Sequence, residues 1–251
     1  MLARMTWLLD LDGVVWLSDT PIPGSAEAIA ELRARGERVV FLTNNSSATV
    51  AEYLAKLERC GIPTAAEDLV TSAQAAATLV EPGSTALVCA GPGVDEALQK
   101  RGVTTVRTGA ADAVVVGWHR DFDFGRLQAA TEAVNGGAVL IGTNDDPTYP
   151  TPSGPLPGGG AILAAVASAT GATPIVAGKP YPPIVELLRQ RVDDATVMVG
   201  DRPSTDGLLA HRIGVPFALV LSGVTTQVGR EVEPAPDRVA RTLADLVGGA
   251  R

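Results

Sequence analysis

Cysteine is scarce in this chain. Cys60 and Cys89 are the two in 251 residues, and neither lies in a CxxC pair or beside a histidine. That excludes a disulfide scaffold and a thiolate metal site. Cys60 closes a helical pattern and Cys89 falls within the strand-like TALVCA, so both read as inert core thiols of a reduced, cytoplasmic protein. Basic runs are absent too: 20 Lys and Arg stand against 28 Asp and Glu, a formal charge of −8, which argues against a nucleic-acid groove or an anionic membrane surface. The longest apolar runs, such as AVVVGW and FALVL, have only the length of a strand, so no membrane span is expected. Aspartates interrupt the apolar start MLARMTWLLDLDGVVW and no small-residue cleavage site follows, which argues against a signal peptide.

What is present is regular alternation. Short β-branched runs at 7–11, 38–43, 85–90, 113–118, 138–142, 174–177, 196–200 and 217–221 read as strands. Helical patterns lie between them. In SAEAIAELRARG, Ile29 and Leu32 are three apart and Gly36 marks the stop; in ATVAEYLAKLERCG the apolar positions are Val50, Tyr53, Leu54 and Leu57. Continuous apolar strands separated by helices predict an α/β fold with Rossmann-like parallel sheets covered on both faces. The Gly- and Pro-rich stretch 145–160, DDPTYPTPSGPLPGGG, is the longest irregular segment, and loops of that length are commonly functional.

Ligands of open parallel sheets bind beyond the carboxyl ends of the strands, so the residues after each strand carry most of the information. After the first come Asp10 and Asp12, in WLLDLDGVVW. A buried strand has no use for an unpaired carboxylate, although a solvated Asp-Gly turn would explain either acid alone. After RVVFL come Thr43, Asn44, Asn45, Ser46 and Ser47. Helix capping explains Ser46 or Ser47 but leaves Thr43 and Asn44 at the strand tip. After TPIVA comes GKP, with Lys179, and after TVMVG comes DRPSTDG, with Asp201 and Asp206. Each residue alone is explained by a turn or a solvated surface. Together, four acids face one lysine, a net charge of −3 that would repel itself. Mg²⁺, a hard cation that accepts a few carboxylate oxygens and keeps waters, resolves this and would attract a phosphate.

DLDGVVW, LTNNSS, GKP and GDRPSTD, in that order, resemble the four signature motifs of the haloacid dehalogenase-like phosphatases. Nearly the whole chain is similar to subclass IIA, the NagD-like, para-nitrophenyl-phosphatase-like and phosphoglycolate, pyridoxal phosphate and glycerol 3-phosphate phosphatase-like members. The resemblance implies a discontinuous core over 1–75 and 178–251, with an α/β cap inserted over 76–177. It implies that Asp10 is the nucleophile forming an aspartyl-phosphate and that Asp12 is the general acid, then base. Thr43 and Asn44, with Asn45 beside them, would hold the phosphoryl oxygens, and Lys179 would balance charge. Mg²⁺ would be held by Asp10, the backbone carbonyl of Asp12 and Asp201, with Asp206 acting through water or orienting Lys179.

The cap would supply specificity. Asn144 and Asp146 fall in the family's specificity-loop region, where they either meet the substrate or simply shape a turn. The glycines at 158–160 either offer amides to an anion or merely start a helix. His119 stands where relatives more often carry an acid. With Arg120 it either favours an anionic or hydroxylated substrate or is an ordinary exposed pair. His211 reads as structural. The expected activity is hydrolysis of a small phosphorylated metabolite, glycerol 3-phosphate first and phosphoglycolate or pyridoxal phosphate next, by a chain that forms a homodimer through its cap. A mutase-like phosphoryl transferase and a receiver-like phospho-acceptor module are the alternatives.

Overall fold

The computed structural model describes residues 5–193, 195–228 and 233–249. The expected α/β class is borne out. One sheet has six parallel strands in the order Arg238–Ala240, Phe217–Val220, Ala195–Gly200, Thr6–Asp10, Arg38–Thr43, Leu69–Thr71. A second has five parallel strands in the order Ile175–Val176, Val139–Gly142, Ala113–Val116, Thr85–Cys89, Thr104–Val106. The first sheet's strands come from both ends of the chain and the second sheet's from the middle.

The run WLLD is uninterrupted because its alternate residues serve two apolar layers. Leu8 packs with Val40, Leu42 and Met198 on one face, while Trp7 and Leu9 pack with Phe41 and Leu57 on the other. The Thr6–Asp10 strand also lies where the strand order reverses. The chain goes from it to Arg38–Thr43 on one side and returns as Ala195–Gly200 on the other. Such switch points open a crevice at the carboxyl ends. Register brings the tips together, with Asp10 beside Leu42 and Leu9 beside Val199.

Several local expectations need correction. The helix Val50–Arg59 is capped by Thr49, not by Ser46 or Ser47, and Glu52 reaches back to complete a capping box. Ser46 Oγ instead pairs with Thr143 Oγ1 at 2.9 Å, and Ser47 bonds the Asn45 side chain. The strands Leu69–Thr71, Thr104–Val106 and Arg238–Ala240 escape the sequence reading, as do two short hairpins, Trp16–Leu17 with Thr20–Pro21 and Thr148–Tyr149 with Leu156–Pro157. Helix Ser72–Ala77 crosses the boundary expected at 75/76. It packs on Pro92–Gln99 and Pro182–Arg189, within an apolar cluster that runs from Leu8 and Val40 to Val88 and Val115. Cys89 is buried, which pushes its thiol up to about 11, and Cys60 is half-buried; both are free. No described helix is long and apolar enough to cross a membrane.

Candidate active site

The first strand delivers Asp10 into the crevice almost fully buried. Its Oδ1 accepts from the Leu11 N–H at 2.8 Å and lies 2.8 Å from Lys179 Nζ. Its Oδ2 has no hydrogen-bond partner among the described residues. Lys179, 1% exposed, also donates to Asp206 Oδ1 at 2.7 Å. Burial works against its charge, yet Asp10 and Asp206 outweigh burial and hold the ammonium above the ordinary lysine range. Asp206 is fully buried, and its Oδ2 accepts from the Arg202 N–H at 3.1 Å, so both of its oxygens are engaged. A π-helical turn over Pro203–Gly207 aims it back at Lys179.

Asp201 follows the strand Ala195–Gly200 and is wedged between two glycines. A Cβ on Gly13 would come within 2.3 Å of its Oδ2, and one on Gly223 within 1.9 Å. Gly13 also has a φ of +86°, so it is fixed twice over, by conformation and by space. The Val224 N–H donates to Asp201 Oδ2 at 2.5 Å. Burial, then Asp206, push the Asp201 carboxyl up to about 7; burial likewise raises Asp10 well above the usual carboxylate range, with Lys179 opposing. Asp10, Asp201 and Asp206 present oxygens within 4.8 Å of one another. Three buried acids with one lysine among them leave negative charge that a further cation would offset, and an all-oxygen donor set suits a hard divalent ion.

Asp12 stands apart from that cluster. Its Oδ1 accepts from Trp16 Nε1 at 3.1 Å and from the Tyr149 hydroxyl at 2.9 Å. Burial raises its pKa, and the Tyr149 bond partly opposes the rise. Thr43 is buried at the neighbouring tip, its Oγ1 accepting from the Asn45 N–H at 3.0 Å.

The second sheet closes over this crevice. Asp146 Oδ2 accepts from Asn44 Nδ2 at 2.9 Å, and its Oδ1 meets Arg202 Nη1 at 2.9 Å. Arg202 Nη2 donates to the Thr148 carbonyl at 3.0 Å. Asn144 Nδ2 donates to the Asn44 carbonyl at 2.6 Å, and its Oδ1 accepts from the Asp146 N–H. Trp118 stacks on Tyr149 at 4.7 Å and donates from Nε1 to the Pro157 carbonyl at 2.9 Å. Asp10, Asp12, Thr43, Lys179, Trp118 and Tyr149 all line one cavity.

A family model for haloacid dehalogenase-like hydrolases matches residues 7–104, and a second HAD-hydrolase-like model matches 176–246. An acid sugar phosphatase of Staphylococcus saprophyticus is 34% identical over 246 residues, which cover 96% of this chain and 94% of that one. The chain belongs to the haloacid dehalogenase-like hydrolases. Within that family it groups with the subclass IIA phosphatases. D-glycerol 3-phosphate phosphatase of Mycobacterium tuberculosis is 37% identical over 87% of this chain, which spans 63% of that relative's length. A crystal structure of glycerol phosphate phosphatase from the same organism, in complex with magnesium, superposes with a TM-score of 0.85 at 34% identity, covering 96% of this chain and 75% of that one.

The residues expected from the family motifs converge, but not all as expected. Asn44 does not offer a free side chain to the cavity. Its Oδ1 accepts from the Lys179 N–H at 2.7 Å, and its Nδ2 serves the Lys179 carbonyl and Asp146. It therefore fixes the lysine's peptide unit. The metal expectation for Asp12 concerns its carbonyl; its carboxylate lies outside the three-acid cluster. His119 requires correction. It is 6% exposed and does not line the cavity; Nδ1 lies 3.0 Å from the Gly117 carbonyl, the ring meets the edge of Phe122, and Nε2 is buried without a partner among the described residues. Burial lowers its pKa. The exposed-pair reading therefore fails for His119, although Arg120 is exposed. Gly158 and Gly159 do line the cavity, at the start of the helix Gly159–Thr170.

The sequence reading missed Arg202, Trp118 and Tyr149. Arg202 had a signal, since it lies inside GDRPSTD between two acids that it could serve. Tyr149 had a weaker one: it is one of three tyrosines in the chain, and it sits in the longest irregular stretch.

Proposed function

We propose that the chain is a Mg²⁺-dependent phosphomonoesterase acting on small organic phosphates, with residues 76–177 as the cap over a core of 1–75 and 178–251. The observation that carries this reading is the division of labour between the two acids of DLD. Asp10 is tied at Oδ1 to Lys179 with Oδ2 unengaged, while Asp12 is held apart from the charged cluster by neutral donors. Asp10 attacks phosphorus, the ester P–O bond breaks, and Asp12 gives its proton to the departing alkoxide. Asp12 then takes a proton from water, whose oxygen attacks the aspartyl-phosphate and releases inorganic phosphate. Thr43 is placed to donate to a phosphoryl oxygen, and Lys179 balances charge on Asp10. Asp206, with both oxygens engaged, orients Lys179. Asp10, Asp201 and the carbonyl of Asp12 would hold Mg²⁺, which supplies positive charge to the phosphoryl oxygens.

A three-carbon polyol phosphate, glycerol 3-phosphate, is the first substrate by this reading, with sugar phosphates, phosphoglycolate and pyridoxal phosphate next. The names of the relatives and the narrow, polar-and-aromatic lining support it. Phosphate release across a panel of these esters tests it. Turnover confined to Mg²⁺-containing buffer with one ester preferred is expected; no release from any would overturn it. Free thiols fit a cytoplasmic setting. The edge strand Ile175–Val176, with Ile175 exposed, fits pairing through the cap, which sedimentation would check.

A further inference from the structure

We propose that Tyr149 is the positioning residue for the leaving-group proton: with the Trp16 indole it occupies Oδ1 of Asp12 and leaves Oδ2 as the oxygen that carries the proton. The inference rests on the phosphomonoesterase reading and assigns a role within its first step.

An indole N–H only donates, and here it points to Oδ1 at 3.1 Å. The Tyr149 hydroxyl reaches the same oxygen at 2.9 Å. A phenol is neutral near pH 7, and a hydroxyl facing a carboxyl oxygen that has no other proton to offer it acts as the donor. An oxygen that receives two donors is the carbonyl-like oxygen of a carboxylic acid, because a proton placed there would face two others. The acidic proton therefore sits on Oδ2, which has no partner among the described residues. When Asp10 forms its bond to phosphorus and the P–O ester bond breaks, that proton passes from Oδ2 to the ester oxygen. Oδ1 keeps both donors as the carboxylate forms, so the developing negative charge is met where it appears.

Tyr149 comes from the hairpin that follows the second sheet's strand Val139–Gly142, and its placement is secured from three sides. Its ring stacks on Trp118, its hairpin strand pairs with Leu156–Pro157, and the carbonyl of its neighbour Thr148 accepts from Arg202. Asp12 is thus correctly aimed only when the hairpin is seated. A proton donor aimed by the cap matters most for esters whose leaving group is a poor one.

The test compares Tyr149→Phe with the parent protein on p-nitrophenyl, phenyl and glycerol phosphates, reading kcat/KM, which reports the steps up to ester cleavage. For p-nitrophenyl phosphate, whose leaving group needs no proton, the change should stay within about twofold. For phenyl phosphate it should be several-fold, and for the alkyl ester about tenfold, the scale of one lost hydrogen bond to a charged group. Phenyl and p-nitrophenyl esters share a ring, so a difference between them follows leaving-group basicity and not a lost substrate contact. Equal losses on all three esters would overturn the inference, because Tyr149 would then only support the fold. Equal effects on the two aryl esters with a loss confined to the glycerol ester would also overturn it, making Tyr149 a substrate contact. A parent protein that cleaves none of the three, nor any ester of the wider panel, would overturn the phosphomonoesterase reading itself, and this role with it.

Discussion

The two walls of the cavity are built on different principles. The wall from the first sheet and the GKP turn is dense in charge and deeply buried: Asp10, Lys179, Asp201 and Asp206 are all buried, and each is fixed by a partner of opposite charge or by backbone. The wall from the second sheet carries one carboxylate, Asp146, which is neutralised by Arg202 from the opposite wall, and otherwise presents aromatic rings and amides. One wall is equipped to change the charge on a phosphoryl group. The other aligns and encloses. Substitutions on the first should therefore remove chemistry, while those on the second should alter how well the chemistry is aimed.

The largest effect is expected at the nucleophile. Asp10→Asn keeps the shape and loses the attacking oxyanion, so turnover should fall at least about a thousandfold in a phosphate-release assay. A fall of less than tenfold would erase the distinction between the walls.

Metal removal comes next. EDTA should stop turnover, Mg²⁺ should restore it, and Ca²⁺, with its longer bonds and larger ligand number, should inhibit. Stability should respond with a definite sign. Asp201 is pushed up to about 7 in the folded protein, whereas a free aspartate titrates near 4. Between those values the native state binds more protons than the unfolded one, so the metal-free protein loses stability as pH rises through the window. Thermal melts in EDTA at pH 5 and pH 8 should show the lower Tm at pH 8, and Mg²⁺ should raise Tm more at pH 8. A metal-free melt that does not change with pH would count against the cluster as a cation site.

On the aligning wall, Asp146→Ala should lower kcat/KM by roughly 10- to 100-fold, the scale of one or two lost polar contacts. The Asp146 ties to Asn44 and Arg202 make that loss similar for glycerol 3-phosphate and p-nitrophenyl phosphate, because the whole loop loosens. Arg202→Met should do the same, and the double variant should be scarcely worse than either. A loss selective for one ester would instead put Asp146 in contact with substrate.

The smallest kinetic effect belongs to His119→Ala. It should leave the ratio of rates on the two esters unchanged and lower Tm, since it empties a site packed against Phe122. A change in substrate preference would return His119 to the cavity.

The same contrast governs what can be seen from sequence. Strands such as Arg38–Thr43 are legible because both their faces are covered, which writes a continuous apolar run. The three-residue Leu69–Thr71 is too short to stand out, and Arg238–Ala240 lies at an exposed edge that demands no such run. The charged wall is legible because its residues stand at strand ends: Asp10 closes Thr6–Asp10, Asp201 and Asp206 follow Ala195–Gly200, and Lys179 follows Ile175–Val176. The aligning wall depends on contacts that no spacing encodes. Arg202 meets Asp146 across 56 residues, and Tyr149 meets Asp12 across 137. His119 misled for a related reason: it is one residue from Trp118, and at a strand end one residue is enough to turn a side chain from the cavity to the interior.

The apolar cluster shared by the two sheets bears on traffic through the site. Val40, Ala73, Ala76, Val88, Val94 and Val115 belong to one continuous buried group, with Ser72–Ala77 packed across the junction. Swinging the second sheet away as a rigid lid would bring those side chains into water, at about 25 cal/mol for each Å² exposed. The hairpin of Thr148–Tyr149 and Leu156–Pro157 sits on the crevice through hydrogen bonds and one ring stack, contacts that water can replace. It is the cheaper door. Entry of ester and departure of alcohol would then be gated by the hairpin 148–157, and the same motion that admits a substrate would withdraw the hydroxyl from Asp12 until the door shuts.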